Sequence, residues 1–152
     1  MAGADESIRR GVSDMEVFDF GTTPCTTAPA LVDARVAIVT TAGLRTDGRR
    51  SWAIGDQSFT VLDAEERDVV LAHASPNFDR SGFAADLDVV YPLERLGELA
   101  ERGAIGSVAP RHLSFMGAQT DHTMTTLRLD TGPAAAKLLR DDGVDVVVLT
   151  PV

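Results

Sequence analysis

Arg35-Val36-Ala37-Ile38-Val39-Thr40-Thr41 is a β-branched, almost continuously apolar run. A strand with one wet face alternates apolar and polar residues. A run without alternation belongs to a strand covered on both faces, as in a parallel sheet overlaid by helices. Asp145-Val146-Val147-Val148-Leu149 repeats the pattern, apolar after its first residue. Asp68-Val69-Val70-Leu71-Ala72-His73 reads as a further core strand, Asp88-Val89-Val90-Tyr91 as a short one, and Ile105 to Val108 as a return into the sheet. Ser58 to Leu62 makes a short alternating strand, and the polar, basic stretch before it, with Arg45, Arg49 and Arg50, reads as an insertion. Pro92 opens a helix over Leu93 to Arg102, whose Leu93, Leu96, Leu99 and Ala100 fall mostly on one face and which Gly103 closes. A second helix is expected around Pro133 to Asp141, with Gly143 as its stop. Strands and helices alternating in this way give a layered α/β domain with a mainly parallel sheet.

Composition narrows the partners. The 152 residues fit one domain, and 44% hydrophobic with 24% charged residues is ordinary for a globular protein. A formal charge of -9 argues against nucleic acid or an acidic membrane surface. No apolar run approaches the ~20 residues of a membrane span, and Met1 to Asp14 lacks the apolar centre of a signal peptide. A cytoplasmic location is expected. Residues 1–33 read as an arm, partly disordered, with a short strand at Met15 to Phe20 and a Thr/Pro loop holding Cys25; residues 34–152 form the domain. Cys25 is the sole cysteine, so no internal disulfide forms, and His73, His112 and His122 lack the spacing of a zinc motif.

Chemistry concentrates in two polar segments that follow apolar runs, where the strand-end loops of an α/β sheet fall. Ser75-Pro76-Asn77-Phe78-Asp79-Arg80-Ser81-Gly82-Phe83 comes after Val69 to Ala72; Ala109-Pro110-Arg111-His112-Leu113-Ser114-Phe115-Met116-Gly117-Ala118 comes after Ile105 to Val108. With Thr40-Thr41-Ala42-Gly43 at the end of the first strand, they gather hydroxyls, histidines and arginines. Turn chemistry accounts well for Asn77 and less well for His73, Arg80, Arg111 and His112. Neither a dinucleotide fingerprint nor a phosphate-loop lysine is present.

These residues carry a resemblance. Val39 to Leu44, Ser75 to Phe83, Asp88 to Leu93, Ile105 to His112 and Ser114 to Gly117 resemble the selenoprotein B family: the B components of glycine, sarcosine and betaine reductases and the related D-proline reductase subunit. It covers roughly residues 35 to 152, and its paired NFDRSG and APRHxSFMG blocks are specific. With the residue pattern it gives an α/β, Rossmann-like three-layer domain with a mainly parallel sheet. It implies an oxidoreductase that cleaves a C–N bond of a small amino acid or N-methylated glycine with a dithiol as reductant. The cofactors implied, a pyruvoyl group and a thiol reductant, sit on partner chains.

On that pattern His112 or His73 moves a proton to the leaving amine, and Arg80 and Arg111 clamp a carboxylate. Asp79 orients an arginine, and Asn77, Ser81, Ser114 and Thr41 complete the substrate-binding set. Cys25 is an alternative nucleophile that the resemblance itself does not support. Reductase partner subunits and a homo-oligomer are expected. In the family the selenocysteine or cysteine follows a strand ending in Thr-Pro, directly after the position of Val152, and no such residue stands in this sequence. That leaves open a frame closed at a selenocysteine codon, a cut gene model, or a non-catalytic homologue that binds a small carboxylate or a partner protein.

Overall fold

The apolar run forms the strand it predicts, β1 (Arg35–Thr40), and the sheet is assembled on both of its edges. The structure is a computed structural model; it describes residues 26–46, 52–75, 80–119 and 121–152, with scattered positions between 6 and 21. The other described strands are β2 (Leu44–Thr46), β3 (Phe59–Asp63), β4 (Val69–Leu71), β5 (Ser107–Val108), β6 (Arg111–Phe115) and β7 (Val146–Thr150). The helices are α1 (Ser81–Ala85), α2 (Leu93–Glu101) and α3 (Asp121–Thr126), the last continuing through a π-helical turn at Leu127–Thr131 into α4 (Gly132–Asp141).

β7 runs parallel along one edge of β1, from Val36↔Val146 to Thr40↔Thr150. The opposite edge is shared: β5 pairs at Arg35 and Val36, β6 at Val39 and Thr40, both parallel. β3 lies antiparallel outside β6. Ala109 and Pro110 bulge out between β5 and β6, where a proline without an N–H is tolerated. The bulge leaves the Ile38 N–H facing a side chain, and it donates to Nδ1 of His112 at 3.0 Å. A histidine thus does the work of a strand carbonyl.

Successive residues of β1 face opposite ways and feed two apolar clusters. Val36 and Ile38 pack with Leu62, Tyr91 and Leu96 of α2; Ala37 packs with Leu113 and with Ala135 and Leu139 of α4. Both helices end as the sequence predicts. Gly103 (φ 68°) and Gly143 (φ 69°) take the left-handed conformation, and the next N–H bonds back, Ala104 to Leu99 O at 2.9 Å and Val144 to Leu139 O at 3.0 Å.

Three expectations are corrected. Val69–Leu71 is not in the main sheet: it pairs antiparallel with β2 in a separate ribbon, Leu44 opposite Leu71. Asp88 to Tyr91 is no strand, because Asp86 caps a 3-10 turn at Leu87–Val89, its carboxylate accepting from Asp88 N at 2.9 Å. The segment from Pro110 to Ala118 is a loop only at its ends; Arg111–Phe115 is β6, inside the sheet. Its His112 and Ser114 are polar because they bond backbone groups of neighbouring strands. Met15 to Phe20, Cys25, Arg49, Arg50, Asn77 and Asp79 lie outside the described residues, as does the side chain of His122.

Candidate functional site at the carboxyl ends of the strands

β1, β6 and β7 run parallel, so their carboxyl ends deliver Thr41, Met116-Gly117 and Val152 to one place. This is where open α/β sheets bind ligands. Backbone and hydroxyl bonds fix it tightly. Thr41 N donates to Thr150 O at 3.1 Å, and Thr41 Oγ1 accepts from Val152 N at 2.8 Å and lies 3.4 Å from Val152 O. Thr150 Oγ1 donates to Val90 O at 2.8 Å, Thr40 Oγ1 accepts from Ala42 N at 3.2 Å, and Ser114 Oγ accepts from Leu44 N at 2.7 Å.

His73 enters from beyond β4. A Cβ placed on Gly117 would stand 2.8 Å from Val152 O, 2.9 Å from Thr41 O and 3.0 Å from Nε2 of His73. Any other residue there would force backbone apart, so the missing side chain is what lets these groups converge. His73 is 3% exposed, and its Nδ1 accepts from Ser75 N at 3.2 Å. The neutral ring therefore carries its proton on Nε2, toward the crevice. Burial, followed by the nearby Arg80 guanidinium, lowers the His73 pKa below its ordinary 6.5. Arg80 Nη2 donates to the His73 carbonyl, bringing a cation to the same end. Met116 closes the floor, its Sδ 3.5 Å from Ala74 N.

Of the residues singled out in the sequence, the structure gathers Thr41, His73 and Arg80 here. Ser81, exposed, is the first residue of α1, next to Arg80. Arg111 is at the opposite end of the sheet: as first residue of β6 it forks onto Asp142, with Nε 2.8 Å from Oδ2 and Nη2 on Oδ1. His112 is inside the sheet and fully buried, edge-on to Tyr91 with ring centroids 5.6 Å apart. Burial pushes its pKa down to about 4, against a weaker opposing pull from Asp63. Ser114 is fully buried with its hydroxyl engaged.

Sequence reasoning missed Gly117 and the backbone of Val152, which need the three-dimensional convergence to be noticed; the Phe115-Met116-Gly117-Ala118 block was the available signal. It also missed an apolar groove of about 590 Å³ beside the crevice, lined by Leu113, Phe115, Leu127, Ala135 and Leu149 and reaching Thr41 and Gly117. Among the described residues no His, Cys, Asp and Glu cluster suits a metal ion, and no helix is long and apolar enough to cross a membrane.

Comparison with known proteins agrees with the blocks read in the sequence. The family described as glycine/sarcosine/betaine reductase selenoprotein B matches residues 13–152. D-proline reductase subunit gamma of Acetoanaerobium sticklandii is 36% identical over 124 residues, 79% of this chain and 49% of the relative. The chain thus spans about half the length of that curated relative. No solved structure matches. The chain belongs to the glycine/sarcosine/betaine reductase selenoprotein B family.

Proposed function

We propose that the chain is a subunit of a reductase that cleaves the C–N bond of a small amino acid or N-methylated glycine, with a dithiol as final reductant. The observation that carries the reading is the crevice at Gly117, where Nε2 of His73 meets the backbone of Thr41 and Val152. In the family pattern the selenol or thiol follows the position of Val152, so it would arise within reach of His73. The nucleophile attacks the substrate α-carbon and the C–N pair leaves with the amine, which takes its proton from solvent, while Nε2–H of the neutral His73 ring donates a hydrogen bond that orients the departing nitrogen. A thiolate of the dithiol then attacks the sulfur or selenium, the carbon leaves with the bond pair and takes a proton from solvent, and the second thiolate closes a disulfide that frees the nucleophile. The carbonyl group by which the family primes the amine belongs to a partner chain, and no described residue of this chain is assigned to hold it. Arg80 supplies the cation for a substrate carboxylate. The strand order and the two apolar clusters support a Rossmann-like layering for this scaffold.

The second reading is a homologue that binds a small carboxylate without turnover; Arg80 beside His73 favours it equally. The test is amine release from glycine, sarcosine, betaine and D-proline by the full protein with its co-purified partners and dithiothreitol. Turnover that His73→Gln lowers at least tenfold, about 1.4 kcal/mol for a misplaced hydrogen-bond donor, while substrate still binds, supports the reductase. Carboxylate binding that Arg80→Gln abolishes, with no amine released from any substrate, selects the binding protein. Turnover indifferent to His73→Gln removes His73 from the mechanism.

A further inference from the structure

We propose that a second copy of this chain pairs with the open edge of β7, joining two sheets into one and closing the apolar groove from its uncovered side. β7 is an outer strand: β1 occupies one of its edges, and among the described residues no strand takes the other. Such an edge presents a row of unpaired donors and acceptors, and folded proteins blunt it with charge, proline, a bulge or shortness. The other outer strands are blunted in this way. β5 has two residues, and β3 ends on Asp63 with Glu65 and Glu66 just beyond it. β7 runs Val-Val-Val-Leu-Thr in unbroken register with β1, with no charge and no proline.

Backbone and side chains of β7 point to the same contact. Thr41 N donates to Thr150 O, and the parallel ladder continues from Thr150 back to Val146. Val146, Val148 and Thr150 therefore turn their N–H and C=O toward β1, and Val147 and Leu149 turn theirs to the open edge. Those same two residues carry the exposed side chains, Val147 at 37% and Leu149 at 71%. Both line the groove beside α4, and none of the described residues lining it is charged. On a chain of formal charge -9, that is a face where two copies can meet without repulsion.

A two-fold axis through Val148 satisfies the edge. Antiparallel pairing about it sets Val147 against the partner's Leu149, and Leu149 against the partner's Val147, with backbone bonds exchanged in each pair. A strand of another protein would have to match this register, whereas the chain's own β7 matches it by symmetry. Residues opposite each other share a face of the sheet. The partner's Leu149 therefore covers the open flank of the groove, which reaches Thr41 and Gly117 at the crevice. The five residues of β7 span about 17 Å. That is a short edge, so the interface is small and the pair dissociates at concentrations on the order of 1–100 μM.

Sedimentation velocity of the full protein over a concentration series through the micromolar range tests the pairing. Expected is a reversible shift from one copy to two with no larger species, and dissociation at least tenfold easier in Leu149→Lys. Leu149 is exposed, so that variant should keep the wild-type circular dichroism and thermal melt when both proteins are dilute enough to be monomeric. Register is read by disulfide trapping in a Cys25→Ser background, which removes the sole native thiol. Val148→Cys should cross-link to its own copy, because residues facing each other in such a pair lie about 4.5 Å apart at Cα, within disulfide range. Val146→Cys, which the axis sets opposite the partner's Thr150, should not. A protein that stays monomeric throughout, a dimer that Leu149→Lys leaves as tight as wild type, or equal cross-linking at both positions overturns the proposal. So does a monomer that carries a co-purified polypeptide of different sequence and loses it in Leu149→Lys, which gives the edge to another partner.

Discussion

His112 shows how a polar residue can be structural in the middle of a functional-looking motif. Its Nδ1 must be an acceptor, because the Ile38 N–H donates to it, and only the neutral ring can accept. In the unfolded chain the ring takes a proton near pH 6.5; in the fully buried site it resists until about pH 4. Between those values the unfolded state binds more protons, so stability is full above pH 6.5 and falls as the pH drops. The expected loss by pH 4 is on the order of 3 kcal/mol. His112→Asn keeps an acceptor near the Ile38 amide and cannot titrate. Its denaturant midpoint should therefore lose the part of the pH 4 to 6.5 slope that His112 contributes, while an unaltered slope would assign the acid sensitivity elsewhere. Without three-dimensional structure His112 is readily taken for a catalytic residue, since the sequence cannot show that a strand amide lies across from it.

At the scale of elements, the π-helical turn between α3 and α4 borders the apolar groove. Leu127 and Gly132 both line that groove. A Cβ on Gly132 would stand 2.5 Å from Leu127 O, a backbone atom that cannot swing away. Helix propensity alone would favour Gly132→Ala by about 1 kcal/mol; the clash reverses the sign. The variant should be destabilised by about 1–3 kcal/mol, the usual cost of overpacking, with the helix forced toward regular α geometry. A thermal melt at or above wild type would mean that the π turn relaxes freely. Helix α4 was legible in the sequence because Pro133 and Gly143 punctuate it, whereas the π turn leaves no comparable signature in Leu127 to Thr131. The misread elements have the same origin. Val69 to Leu71 has the composition of a core strand, and only its partner, β2, reveals that it belongs to a side ribbon. Val89 and Val90 are strand formers, but Asp86 capping the amide of Asp88 turns the chain first.

For the whole molecule, the alternation of apolar runs and helices was sufficient to read the mainly parallel sheet around β1, but not the covering of β7, which pairs with β1 along its whole length and yet leaves Leu149 71% exposed on one face, against the expectation of a strand covered on both. The carboxyl-end crevice was legible in part: Thr41 and His73 follow apolar runs, as strand-end residues should, but Arg111 also follows one and turns out to begin a strand beyond a bulge. Distribution of burial then predicts how the molecule opens. β1 is flanked on both edges, and its Ile38 amide is bonded to a fully buried side chain. β4 is half-buried throughout and, among the described residues, pairs with one strand, β2, of three residues. Local openings follow such differences, with few-contact segments exchanging through small fluctuations and central strands only through global unfolding. In native-state hydrogen exchange the amides of Ile38 and Leu44 should therefore exchange slowest, the second because Ser114 holds it from inside the sheet. Those of Val69 to Leu71 should exchange through openings that cost well under the global free energy. Because His73 follows that ribbon, its openings would also move the imidazole away from Gly117, coupling exposure of β4 to the crevice. Equal protection of Ile38 and Val70 would show instead that ribbon and sheet form one cooperative unit, and that the crevice is as rigid as the strand it terminates.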